Sequence, residues 1–276
     1  MNSKVLVIVG MHRSGTSVVT QWLHRCGLFI GDKLEGPNIG NVEGHFEDVD
    51  FLKMHQKLLL KRNFPSTGFI YKPLPRLSGE EKEELQTIIE TKSRQNEEWG
   101  WKEPRTCLFL DEYSRLIPSA FYVMVVRDFN STVSSLITRE YKINDRRFRS
   151  RKGLSRIKWI LFKRKNLEKM FQKEAERFLK IWIHYYEQIL ACTRALPDGR
   201  FMFVDYSRLF RNDEDYFLRL KKEWQFSLDY FPFITLYKEE LLSEVKDISK
   251  YVKDKDLLVK ARMIEKDILL NYLERA

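Results

Sequence analysis

Residues 10 to 17, Gly10-Met11-His12-Arg13-Ser14-Gly15-Thr16-Ser17, set two glycines around a cation and follow them with hydroxyls. A turn of this kind at a helix start aims backbone amides at one point, and the helix dipole adds partial positive charge there. The composition is suited to holding an anion. In an ATP-binding loop a lysine follows the second glycine and the next hydroxyl holds magnesium. Here Thr16 takes the lysine position and the cation stands inside the loop as Arg13. An anion site is therefore expected, while a magnesium-triphosphate site lacks its cation. Two further stretches carry anion-binding types: Lys102 in "WKEPRT" (101–106), and Arg127 with Ser131, Ser134 and Ser135 in "VMVVRDFNSTVSSL" (123–136). An arginine fork beside a serine hydroxyl suits a phosphate monoester. Between residues 32 and 51, Glu35, Glu43, His45, Glu47 and Asp48 supply groups able to take a proton.

These residues need elements that bring them together. Apolar runs predict strands at 4–9, 98–101, 121–126 and 201–204, and helical spacing predicts helices at 16–26, 46–60, 79–96, 106–116, 130–140, 167–194 and 255–274. Strands alternating with longer helices argue for an α/β fold, a P-loop-like parallel sheet flanked by helices on both faces. One domain over 1–276 is expected, with residues 213–276 mainly helical. In such a sheet the ligand crevice lies beyond the carboxyl ends of the strands. Arg13, Lys102 and Arg127 each follow a predicted strand, so the sheet aims three cations at one anionic ligand. Asp205 and Tyr206 follow the fourth.

Taken together, the motifs resemble the sulfotransferases that use 3′-phosphoadenosine 5′-phosphosulfate (PAPS), and are most similar to the bacterial carbohydrate-type and tyrosylprotein branches. "HRSGT" (12–16) matches the family's loop core, "WKEPRT" its lysine motif, and Arg127 with Ser135 keeps its arginine-to-serine spacing. "FVDYSRLF" (203–210) looks like its later strand and turn, so the likeness runs from about residue 4 to 212. The resemblance implies that His12, Arg13, Ser14, Gly15, Thr16 and Ser17 hold the 5′-phosphosulfate, and that Arg127 and Ser135 hold the 3′-phosphate. It implies sulfonate transfer to a hydroxyl, on a carbohydrate or glycolipid, releasing adenosine 3′,5′-bisphosphate with no metal. Arg13 and Lys102 would stabilise charge on the leaving phosphate. "GHFE" (44–47) matches a glycine-x-x-glutamate common in related bacterial sequences, which favours Glu47 as general base; Glu35, Glu43 and His45 remain alternatives. The late RKG motif of the cytosolic branch is absent from the C-terminal region, and "RKG" at 151–153 is read as coincidence.

The net charge of +10 has one source. Residues 146–165, "RRFRSRKGLSRIKWILFKRK", hold ten Lys/Arg and no acid, and the other 39 basic residues balance the 39 acidic ones. The segment suits a solvated face, an anionic acceptor or a membrane surface, since apolar residues interleave with the cations. Cys26, Cys107 and Cys192 are far apart and suggest neither a disulfide framework nor a zinc site. The phosphate-loop candidate follows the first short apolar run directly, so a cytoplasmic location is expected, or one peripheral to the inner membrane face. His24, His55 and His184 sit in helical patterns and read as structural. Two rival classes are a kinase or nucleotidase using ATP and magnesium, against which the missing lysine speaks, and a nucleic-acid-binding protein, which leaves Arg13, Lys102 and Arg127 unexplained.

Overall fold

The computed structural model describes residues 3–36, 44–150, 152, 154–237 and 244–273. Four parallel strands, β1 (Lys4–Val9), β2 (Glu98–Lys102), β3 (Phe121–Val126) and β4 (Phe201–Asp205), form a sheet in the order β2-β1-β3-β4. Their register pairs Ile8 with Lys102, Val9 with Met124 and Val126 with Asp205, so all four carboxyl ends lie along one edge. The strands read as unbroken apolar runs because both faces are covered. Val5, Val7 and Val9 of β1, with Tyr122, Met124 and Val126 of β3, enter one core. Leu6, Ile8, Val123 and Val125, the alternating set, enter the other.

The first core is closed by α2 (Val49–Lys61), α3 (Gly79–Gln95), α4 (Leu110–Leu116), α5 (Phe129–Arg149), α7 (Lys163–Ala195) and α9 (Lys255–Ile268). The second is closed by α1 (Thr16–Arg25) and α8 (Leu209–Leu218), with Trp224, Phe226 and Phe233. The long α7 buries Phe171, Phe178, Trp182, Tyr185, Tyr186 and Ile189 along one stripe.

Several boundaries differ from the sequence expectation for local reasons. The helix expected from 46 starts at Val49, because Asp48 caps it, accepting from the amides of Asp50 at 2.9 Å and Phe51 at 3.4 Å. Glu47 is therefore outside the helix. The segment expected as one helix over 106–116 begins as a 3-10 turn, Pro104–Phe109, before α4. Glu103 caps that turn through its carboxylate and the Arg105 amide at 3.0 Å. A short helix, α6 (Leu154–Leu161), was not expected, and α8 begins at Leu209, ahead of the C-terminal part expected to be mainly helical. The C-terminal part is helical in pieces: a wide turn at Arg219–Glu223, irregular chain over 224–232, then α9 and a second wide turn, Leu269–Leu273. Cys26, Cys107 and Cys192 are buried free thiols. No helix among the described residues is long and apolar enough to cross a membrane.

Candidate active site

The carboxyl edge of the sheet opens into a solvent-continuous cleft. Its loop wall is residues 10–17. Gly15 has φ +96° and serves as the N-cap of α1 without any side-chain cap, which leaves the first amides of α1 directed outward. A Cβ on Gly15 would lie 2.2 Å from the Tyr206 ring, and one on Gly10 would lie 2.6 Å from the Val125 carbonyl oxygen. Glycine is required at both positions. Arg13 also adopts a left-handed backbone, φ +70°, a cost of roughly 1–3 kcal/mol for a side-chain-bearing residue. Its carbonyl accepts from Arg127 Nη1 at 3.2 Å, and its Nε donates to Ser135 Oγ at 3.0 Å, so the loop is fastened to β3 and α5.

Thr16 and Ser17 line the cleft with His12 and Arg13. Ser14 departs from expectation. It is fully buried, and its hydroxyl donates to the Met11 carbonyl at 2.7 Å, holding the loop's own shape instead of facing the cleft. His12 is 9% exposed, lies edge-on to Phe69, and its Nε2 has no partner among the described residues. Burial first, then the Arg105 and Arg139 guanidiniums, hold its imidazole well below the ordinary histidine range, so it is neutral at pH 7. Burial, then Arg139 and Arg127, lower Arg13 to about 10, which leaves it cationic at pH 7.

Lys102, at the tip of β2, is 1% exposed. Its ammonium donates to Glu47 Oε1 at 3.1 Å, to Ser17 Oγ at 3.3 Å and to the His45 carbonyl. The strand-end segment after it is braced by a buried charge cluster: Glu103 accepts from Arg105, and its Oε2 lies 2.5 Å from His55 Nδ1. His55 Nε2 is 2.8 Å from the Tyr113 hydroxyl. The cluster keeps Glu103 below the usual carboxylate range: Arg105 and His55 outweigh the opposing effect of burial, the largest single influence.

Glu47 is 5% exposed and lines the cleft beside His45. Glu35 lies alongside, its amide donating to the Glu47 carbonyl at 2.8 Å. Burial, then the neighbouring Glu47, push the Glu35 carboxyl up. The segment is anchored from behind by Lys92, whose buried ammonium ion-pairs with Asp48 at 2.8 Å and Asp50 at 2.9 Å. Glu43 lies outside the described residues, as do Arg151 and Gly153 of the "RKG" stretch.

On the opposite wall the Arg127 guanidinium stands 5.4 Å from the Tyr206 ring centroid, a cation–π contact. Ser135 is presented by α5, whose start is capped by Asp128 accepting from the Ser131 amide at 2.7 Å. Ser131 and Ser134 do not line the cleft; the Ser134 hydroxyl accepts from the Lys246 amide at 3.0 Å. Arg139 does line it, over the Phe69 ring, and sequence reasoning missed it. The available signal was its spacing, one helical turn beyond Ser135 on the same face. None of His24, His55 and His184 lines the cleft, and no metal-binding cluster occurs among the described residues.

The cleft thus gathers Arg13, Lys102, Arg127 and Arg139 with an open helix N-terminus and, among the described residues, one lining carboxylate, Glu47. It can bind an elongated anion and take a proton from a group held beside it. The fold matches solved sulfotransferase structures. These include sulfotransferase STF9 from Mycobacterium avium, at 14% identity and TM-score 0.59, covering 98% of this chain and 76% of that one. The sulfotransferase domain of the Synechococcus PCC 7002 olefin synthase matches at 14% identity and TM-score 0.50, covering 96% and 95%. The sulfotransferase domain from the curacin biosynthetic pathway matches at 12% and 0.50, covering 96% and 97%. Among curated proteins no relative matches the sequence. The model of the sulfotransferase family matches residues 6–222, which takes in β1 from Leu6, the other three strands, and Arg13, Lys102, Arg127 and Arg139 of the cleft, and the chain belongs to that family.

Proposed function

We propose that this protein transfers a sulfonate group from PAPS to a hydroxyl acceptor on a carbohydrate or glycolipid. The observation that carries the reading is the meeting of Arg13, Lys102 and Arg127, from three strand tips, with Ser135 in one cleft. PAPS is anionic at both ends, and the residues fit such a molecule. Arg127 and Ser135 suit the 3′-phosphate through a guanidinium fork and a hydroxyl. Arg13, Thr16, Ser17 and the outward amides of α1 suit the 5′-phosphosulfate.

In the reaction a bond forms between the acceptor oxygen and sulfur while the bond from sulfur to the phosphate oxygen breaks. Charge then grows on the leaving phosphate. Arg13, Lys102 and the start of α1 line the cleft together, and we assign them the stabilisation of that charge. Glu47 takes the acceptor's proton, and Lys102, bound to both Glu47 and Ser17, sets the base against the loop. His12 is neutral and offers a single N–H to a sulfonate oxygen. Tyr237, Phe46 and Leu236 also line the cleft, and the Tyr237 and Phe46 ring faces would suit the sugar rings of such an acceptor.

Incubation with labelled PAPS across glycans, lipids and tyrosine peptides tests the reading. Label is expected on a glycan or glycolipid. Calorimetry should show tight binding of adenosine 3′,5′-bisphosphate and none of ATP with magnesium; the reverse order would establish a nucleotide kinase instead.

A further inference from the structure

We propose that the elbow formed by the end of α5 and by α6 docks on the surface of an anionic lipid bilayer. The elbow has an inner and an outer face, and the structure separates them. Trp159 turns inward: it stacks on Phe148 with ring centroids 4.1 Å apart and on Tyr141 at 5.8 Å, and its Nε1 donates to Asp145 Oδ1 at 2.9 Å. Asn166 also donates to the Trp159 carbonyl at 3.2 Å, fixing α6 against the start of α7. With the aromatic residue used as internal packing, the outer face presents Ile157, Ile160 and Leu161, spaced three and four apart, continued by Phe162. They are 53%, 43%, 72% and 52% exposed.

Cations flank this apolar stripe along the chain. Arg146, Arg147, Arg156, Lys163, Arg164 and Lys165 are exposed and pair with no carboxylate among the described residues. The acid beside the segment, Asp145, is engaged by Arg149 at 2.8 Å and by Trp159. An aliphatic stripe flanked by unpaired cations is complementary to an interface whose surface is anionic and whose interior is apolar. A nucleic acid matches the cations and offers nothing to Ile157, Leu161 or Phe162. The mode is lying on the membrane: α6 has eight residues, far too few to span it.

The elbow continues the helix that carries Ser135 and Arg139 into the cleft. From Arg139 to Arg149 is about 15 Å along α5. Docking would hold the cleft close to the headgroup layer, where an amphiphilic acceptor would present its hydroxyl. The docking itself does not depend on the sulfotransferase reading.

The test is flotation of the full chain with vesicles of phosphatidylcholine alone or mixed with phosphatidylglycerol. The protein should float with the anionic vesicles only, and high salt should weaken that binding. The pair Ile157→Ser with Leu161→Ser should reduce partition about tenfold, and each of Arg146→Gln and Lys163→Gln by about fivefold. Melting temperature and binding of adenosine 3′,5′-bisphosphate should stay at wild-type values, which separates lost docking from lost folding. The proposal is overturned by three results: no flotation, equal flotation with neutral vesicles, or a dimer in light scattering that the serine pair dissolves. Binding of single-stranded RNA that competes vesicles away and ignores the serine substitutions would overturn it equally.

Discussion

Arg13 Nε donates to Ser135 Oγ across 3.0 Å, joining the loop after β1 to a helix 122 residues further along the chain. The two ends of the proposed donor site are therefore in direct contact, and Arg127 completes the link through the Arg13 carbonyl. Groups that grip opposite ends of one ligand are positioned by each other before it arrives.

The first prediction concerns that link. Arg127→Ala should raise the Kd for adenosine 3′,5′-bisphosphate about 10- to 100-fold, the equivalent of losing a charge-assisted hydrogen bond of roughly 1.5–3 kcal/mol. Ser135→Ala should cost less, about tenfold or below, since the hydroxyl is neutral. Turnover at saturating PAPS should change little in either. Calorimetry and steady-state kinetics read both; unaltered affinity in the two variants would remove the 3′-phosphate assignment.

Glu47→Gln should lower kcat roughly 10²- to 10⁴-fold while leaving product affinity intact, the signature of a missing general base. Glu35 adjoins Glu47 and has its carboxyl pushed up by burial and by that neighbour. If Glu35→Gln carries the kinetic loss and Glu47→Gln does not, the proton goes to Glu35.

Lys102→Met should depress turnover about 10²- to 10³-fold more than it affects donor binding, because its charge acts on the leaving phosphate. Removing it also strands buried Glu47, and breaking a buried pair costs roughly 3–5 kcal/mol. A lower melting temperature is expected in parallel, and Lys102→Met with Glu47→Gln should recover most of it.

Glu265 accepts from the Phe129 amide at 2.7 Å and so holds the start of α5. Burial, with Asp128 nearby, raises its carboxyl to about 7. Between an unfolded value near 4.5 and this folded value the native state binds the extra proton. Its stabilising contribution is complete below the lower value and is lost as pH rises through about 7. Glu265→Gln keeps the acceptor oxygen and cannot ionise, so it should raise the melting temperature at pH 8 and change it little at pH 5. A gain of equal size at both would reject the assignment.

Local sequence determined the strands, the order of the elements and the placing of Arg13, Lys102 and Arg127 at strand tips. Unbroken apolar runs and a glycine-bounded turn leave little other choice. It also put Ser135 on the first turns of α5. What a side chain meets once the elements pack was decided only by the tertiary structure. Ser14 reads as a ligand hydroxyl until its donation to Met11 shows it bracing the loop. Arg139, which the sequence did not single out, lines the cleft over the ring of Phe69, from another segment. Trp159 reads as part of an exposed apolar set until Phe148 and Tyr141 enclose it and leave Ile157, Ile160 and Leu161 outside. Spacing along the chain fixes which residues share a face; only contacts between distant segments decide whether that face is buried, paired or left to meet a ligand.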